Sequence, residues 1–107
     1  MADNGRIVRK HIFFSGRVTG VGFRYRTKMA AEKLGLTGWV RNTSDDMNVE
    51  MEVQGTEEKI AALLSTYRYN RWINITSMDV TEIPVIDEKG FSLLFYRGGQ
   101  SCDSLFR

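Results

Sequence analysis

The stretch Asn48-Val-Glu-Met-Glu-Val-Gln54 alternates apolar Val49, Met51 and Val53 with polar Glu50, Glu52 and Gln54. Successive side chains of a strand point to opposite faces, so one face of this strand belongs to a core and the other meets solvent. The rest of the chain must therefore cover a sheet from one side.

Two helical segments are available to do so. Apolar groups at Phe23, Thr27, Ala30, Ala31 and Leu34 keep helical spacing, and Gly35 directly after them suits the left-handed residue that closes a helix. Lys28 and Lys33 favour its negative C-terminal end. The second helix is expected to start at Gly55-Thr56-Glu57-Glu58, with Thr56 as cap and the glutamates at the positive end, and Ile60, Leu63, Leu64 and Tyr67 keep its period. Strands are expected over Arg6–Gly16, Thr37–Asn42, Asn48–Gln54, Trp72–Val80 and Phe91–Tyr96. The connection Thr43–Met47 reads as a hairpin with Asn48 available for a positive φ, and Gly98-Gly99 opens a polar C-terminal tail. The order is β-α-β-β-α-β with one late short segment. It resembles a ferredoxin-like α/β sandwich of the α+β class, an antiparallel sheet with two helices on one face. Residues 1–97 form one domain in this reading and 98–107 a tail, with Leu105 and Phe106 expected to dock on the body.

Composition agrees with a single core. The chain has 107 residues, 42% of them hydrophobic and 26% charged, and a chain of that length buries roughly 65% of its unfolded surface without disulfides or structural metal. The longest apolar run, Ile60 to Leu64, is five residues, against about 20 for a membrane-spanning helix. No membrane association is expected. The polar start Met1-Ala2-Asp3-Asn4-Gly5-Arg6 lacks the apolar stretch of a secretory signal. Cys102 is the only cysteine and His11 the only histidine; no recognised metal-ligand spacing joins them, and a reducing cytoplasm is expected.

Charge is unevenly placed. The total is +2, but residues 1–41 carry nine basic residues against two acidic, a local +7, and residues 42–66 carry six carboxylates against Lys59, a local −5. A positive field over the first third favours a small anion rather than a long polyanion. Gly16-Arg-Val-Thr-Gly-Val-Gly-Phe-Arg24 lies in that third, between a strand and a helix start. Its glycines Gly16, Gly20 and Gly22 let the backbone aim several N–H groups at one anion, with the helix end adding positive charge. Arg24, in the first helical turn, is unfavourable beside the dipole unless an anion is also there. The spacing Gly-x3-Gly-x-Gly is neither the dinucleotide fingerprint nor a nucleotide P-loop, and no thiol heads the loop to form a phosphocysteine.

That loop, followed by Gly38-Trp-Val-Arg-Asn42 and Val49-Glu-Met-Glu-Val-Gln-Gly55, closely resembles both signature stretches of the acylphosphatases, over about Arg6 to Arg97. The resemblance implies a small cytosolic enzyme that hydrolyses acyl phosphates to carboxylate and inorganic phosphate, with no metal and no cofactor. It implies Arg24 as the phosphate-binding arginine, Asn42 as the residue that orients water, and Gly16, Arg17, Val18, Thr19, Gly20 and Val21 as the backbone phosphate cradle. Expected partners are a small-molecule acyl phosphate and, as product-like ligands, inorganic phosphate or sulfate. A monomer that binds neither nucleic acid nor membrane is expected. His11, mid-strand, is read as structural. The chain departs from the family in its hairpin: Asp45-Asp46-Met47-Asn48 is one residue longer and lacks the usual glycine. Carboxylates pointing inward there would repel a dianion, and the reading is that they face solvent.

Two other functions fit the same frame less well. An RNA-binding sheet, suggested by Ile12-Phe13-Phe14, presents basic and aromatic residues on its third strand, whereas Glu50 and Glu52 stand there. A silent acylphosphatase-like domain, of the kind found within larger maturation enzymes, is disfavoured by the presence of both Arg24 and Asn42 in a 107-residue chain.

Overall fold

The computed structural model describes residues 5–97 and 100–104, and side chains as far as Phe95. In chain order the elements are β1 (Ile7–Arg17), α1 (Phe23–Leu34), β2 (Thr37–Asn42), β3 (Val49–Thr56), α2 (Glu57–Ser65), a 3-10 helix (Thr66–Tyr69), β4 (Asn74–Ile83), β5 (Phe91–Arg97) and β6 (Gln100–Ser104). They form one sheet in the order β4-β1-β3-β2-β5-β6. α1 packs on β2 and β5, α2 packs on β3, and the helices touch each other, so both lie on the same face. The α+β ferredoxin-like class is the observed one, with a correction to the sheet. It is mixed rather than wholly antiparallel, because β2 and β5 run parallel, with Gly38 opposite Phe91 and Arg41 opposite Leu94.

Alternation within each strand builds the core. Val8, Ile12 and Phe14 of β1, Val49, Met51 and Val53 of β3 and Val40 of β2 point under the helices and are almost fully buried. α1 contributes Phe23, Thr27 and Ala31, and α2 contributes Ile60 and Leu63. Thr56 caps α2 as expected, its hydroxyl accepting from the Lys59 N–H at 3.2 Å. Gly35 closes α1 at φ 73°. Tyr67 lies beyond α2, in the 3-10 helix, yet keeps its place in the core. Its ring stacks on Phe23 at 4.4 Å and its hydroxyl meets the Thr27 hydroxyl at 2.6 Å. Burial pushes this phenol well above its ordinary pKa, with the Thr27 bond acting in the other direction.

The polar face of β3 meets more than solvent. Glu50, Glu52 and Gln54 are half-buried, and the β4–β5 connection crosses that face at Gln54. Gln54 donates to the Ile86 carbonyl at 2.8 Å and accepts from the Ile86 N–H at 3.0 Å. Beneath this strap Arg9 is only 1% exposed and bonds Glu52 at 2.9 Å and Glu88 at 2.7 Å. Burial opposes the Arg9 charge, but the hydrogen bonds it donates to Glu88 and Glu52 outweigh it and hold the group above its ordinary pKa. Beside it, Glu50 joins His11 at 2.7 Å and Arg41 at 2.8 Å, a structural setting for the histidine.

Some boundaries move. β4 starts at Asn74 rather than Trp72, since Asn70 holds a turn: its side chain accepts from the Trp72 N–H at 2.8 Å and its carbonyl from the Ile73 N–H at 3.1 Å. It runs on to Ile83. Gln100–Ser104, read as part of a tail, pairs with β5 as β6. Gly98-Gly99 and the expected docking of Leu105 and Phe106 lie outside the described residues.

Candidate functional site

Where β1 leaves the sheet its pairing with β4 slips, between Ser15 and Gly16. Gly16 has φ 120°, and a Cβ there would stand 2.1 Å from the Asn74 carbonyl oxygen. Only glycine allows the two backbones to approach this closely, and the approach aims the following loop across the end of the sheet. Val18 is buried and its N–H turns back to the Gly16 carbonyl at 3.1 Å. The loop closes at Gly22, whose left-handed φ of 77° starts α1 with no side-chain cap and no acidic residue in the first turn. The positive end of the helix is left without a carboxylate of its own.

Phe23, the first residue of α1, pins that end. It lies between Tyr67, stacked at 4.4 Å, and Phe14, edge-on at 5.0 Å. Arg24, the next residue, is turned toward β5. One guanidinium nitrogen donates to the Leu94 carbonyl at 3.3 Å and the group lies over the Phe95 ring, 4.9 Å from its centroid. Among the described residues Arg24 makes no ion pair. It is anchored by a carbonyl and a ring but not neutralised.

Asn42 arrives from β2. Gly38, Val40 and Asn42 share the helix-side face of that strand, and as its last residue Asn42 reaches the end of the sheet where the loop lies. Its Nδ2 donates to Asp46 Oδ1 at 3.0 Å, while its Oδ1 is buried with no hydrogen-bond partner among the described residues. A buried acceptor left unmet costs about 1–3 kcal/mol, which a donor from water or ligand recovers.

The hairpin explains this arrangement. Thr43 and Asn48 close it, the Thr43 N–H donating to the Asn48 carbonyl at 2.9 Å. The positive φ expected at Asn48 falls instead on Asp46, at 63°. Both aspartates are exposed, as anticipated. Asp45 folds back on its own turn, accepting from the Thr43 hydroxyl at 2.5 Å and the Met47 N–H at 3.0 Å. Those two bonds hold its carboxyl below the usual range.

Arg24 and Asn42 line one cavity of about 170 Å³, together with Val18 and Gly20 of the loop, Gly22, Phe23 and Tyr25 at the head of α1, and Leu93 and Phe95 of β5. Among the described residues no carboxylate lines it. Of the expected cradle, Val18 and Gly20 reach this cavity; Gly16 and Arg17 end β1, and Thr19 and Val21 are half-buried parts of the loop that do not line it. The β5 residues were missed, since only the parallel β2–β5 pairing brings them here. A larger open groove, about 350 Å³, lies between α2, the 3-10 helix and β4; among the described residues Arg68 is its only charged lining residue. Among the described residues no group of three or more His, Cys, Asp or Glu could hold a metal ion, and no helix is long and apolar enough to cross a membrane.

Comparison with known proteins places these features in a family. The family model for Acylphosphatase matches residues 10–93. The chain is 43% identical over 89 residues to an acylphosphatase of Bifidobacterium longum, covering 82% of this chain and 91% of that one. It is 40% identical over 91 residues to an acylphosphatase of Clostridium beijerinckii, covering 83% of this chain and 100% of that one. Among solved structures, acylphosphatase from Bacillus subtilis superposes with a TM-score of 0.72 at 33% identity, over 80% of this chain and 97% of that one. Full-length HypF in its phosphate- and nucleotide-bound form superposes with a TM-score of 0.74 at 30% identity, over 87% of this chain but only 12% of that one.

Proposed function

Since this chain belongs to the acylphosphatase family and is a hydrolase of that family, we propose that it splits the carboxyl-phosphate bond of small acyl phosphates by direct in-line attack of water, with Arg24 and Asn42 as its catalytic residues. The cavity that both side chains line, with no carboxylate in its wall among the described residues, is the observation that carries this reading.

The phosphate oxygens sit against main-chain amides of the Gly16–Val21 loop and the open end of α1, with the Arg24 guanidinium on one side. Charge spread over the three equatorial oxygens in phosphoryl transfer is stabilised by such fixed donors, which need no reorganisation as the carboxylate leaves. The Val18 amide is already engaged with Gly16, so the loop contribution comes from its other N–H groups. Water is held by Asn42. A carboxamide is too weak a base to take its proton, but the partnerless Oδ1 accepts one O–H and turns the oxygen lone pair toward phosphorus. The phosphorus–oxygen bond to water forms as the bond to the acyl oxygen breaks, and the water proton passes to a phosphate oxygen. The products are a carboxylate and inorganic phosphate. No step requires a cofactor.

The enzyme in this reading is a cytoplasmic monomer whose catalytic unit is residues 1–97, followed by 98–107, of which Gln100–Ser104 pairs with β5, and it has no nucleic-acid or membrane partner. Inorganic phosphate or sulfate competes for the same cavity as product-like ligands. Hydrolysis of benzoyl phosphate in EDTA tests the proposal, with turnover inhibited by phosphate as the expected result. A protein that binds phosphate without turnover would instead be a silent domain of the fold.

A further inference from the structure

We propose that Asp46 is the positioning residue of Asn42: its carboxylate locks the carboxamide in the one orientation that turns Oδ1 away from the hairpin and makes it the water acceptor. This rests on the hydrolytic reading above and adds a residue to it.

A carboxamide can be turned over by rotation that exchanges its oxygen and its NH2 group, and its neighbours decide which end goes where. Asp46 Oδ1 is 3.0 Å from Asn42 Nδ2. An ionised carboxylate only accepts, so the NH2 end is the only one it can hold; the reversed amide would set two acceptors against each other. Asn42 Oδ1 is thereby left on the other side, buried and partnerless among the described residues. The bond also polarises the amide. Negative charge at the N–H end draws electron density onto the carbonyl oxygen, making it the stronger acceptor for a water O–H.

The backbone gives the aspartate its reach. At φ 63° Asp46 occupies a region open to Gly, Asn and Asp and strained for most other residues. Glycine would satisfy the turn and offer Asn42 nothing. Asp45, the neighbouring carboxylate, is committed to Thr43 and Met47 and is not available as a substitute. Asp46 is exposed, so solvent screens its charge from a bound dianion while the direct bond to Asn42 persists.

Two variants at this position separate the role from a structural one, because both residues fit the turn. With benzoyl phosphate as substrate, Asp46→Gly is expected to lower kcat about tenfold while KM and phosphate inhibition stay at wild-type values, the phosphate being held elsewhere. Asp46→Asn, which keeps an oxygen for Nδ2, is expected to hold kcat within about threefold of wild type. Independently of turnover, the side-chain NH2 resonances of Asn42 should shift in Asp46→Gly and remain near their wild-type positions in Asp46→Asn. An Asp46→Gly enzyme with undiminished kcat overturns the proposal, as does a fall in KM at constant kcat in both variants, which would leave the carboxylate only a repulsive role. Wild-type protein without turnover overturns the hydrolytic reading and this proposal together, whereas wild-type turnover with an unaffected Asp46→Gly overturns this one alone.

Discussion

The polar face of the sheet and the head of α1 each hold a guanidinium, under opposite conditions. Arg9 is buried under the β4–β5 connection and bonded to Glu52, Glu88 and Gln54. Its charge is consumed inside the fold. Arg24 rests against a carbonyl and an aromatic ring, with no ion pair among the described residues, and its charge remains available to an incoming anion. The contrast lies in the neighbours: carboxylates surround Arg9, whereas the partners of Arg24 among the described residues are neutral. Arg9 stands opposite Gln54 in the β1–β3 ladder, and Glu52, two residues from Gln54, lies on the same polar face. Arg24 stands where the helix end has no acidic residue.

Exchanging the consequences of the two arginines would destroy this distinction, and the largest effect is expected at Arg24. Arg24→Ala should reduce kcat/KM for benzoyl phosphate by about 10³-fold and weaken phosphate inhibition, with little change in the urea midpoint. Lysine at the same position should recover little, lacking the planar fork that meets carbonyl, ring and phosphate together. Asn42→Ala should lower kcat by about 10²-fold while phosphate inhibition persists, since water rather than phosphate loses its partner. Equal loss of both would show that Asn42 contacts the anion.

Arg9→Ala should do the reverse. Removing one member of a buried pair leaves Glu52 and Glu88 uncompensated, and a loss of about 3 kcal/mol in unfolding free energy is expected from urea titration, with phosphate inhibition of the folded enzyme unchanged. The smallest effect concerns pH. Burial raises the Glu50 pKa, but hydrogen bonds from His11 and Arg41 outweigh it, so the folded value lies below the unfolded one. That stabilisation is fully present above the ordinary carboxylate range and is lost as pH falls through the folded value. Urea midpoints compared at neutral and acid pH should therefore fall less in Glu50→Gln than in wild type.

What was legible along the chain was whatever depends on neighbours in sequence. The span of α1 from Phe23 to Leu34, the Thr56 cap, the Gly35 stop and the alternation of β3 all rest on propensities and periods local to their own segments. So did the phosphate-type loop, since glycines at three positions between a strand and a helix declare backbone freedom wherever they occur. Asn42 and Arg24 could be singled out by motif. Their meeting in one cavity could not, because it requires the last residue of β2 and the first turn of α1 to lie at the same end of the sheet.

The remainder belonged to the tertiary structure. Leu93 and Phe95 became lining residues only when β5 paired in parallel with β2, a contact between segments more than fifty positions apart. Glu50 and Glu52 are held by His11, Arg41 and Arg9, partners that no alternation pattern describes, and the positive φ falls on Asp46 rather than Asn48. Sequence alone determined most of the elements and the residue types proposed to carry the chemistry, since dihedral preference and side-chain period are short-range properties. Which charges are spent inside the fold and which stay open to a ligand was decided only when distant strands met, because neutralisation depends on contacts at a few ångströms between residues far apart in the chain.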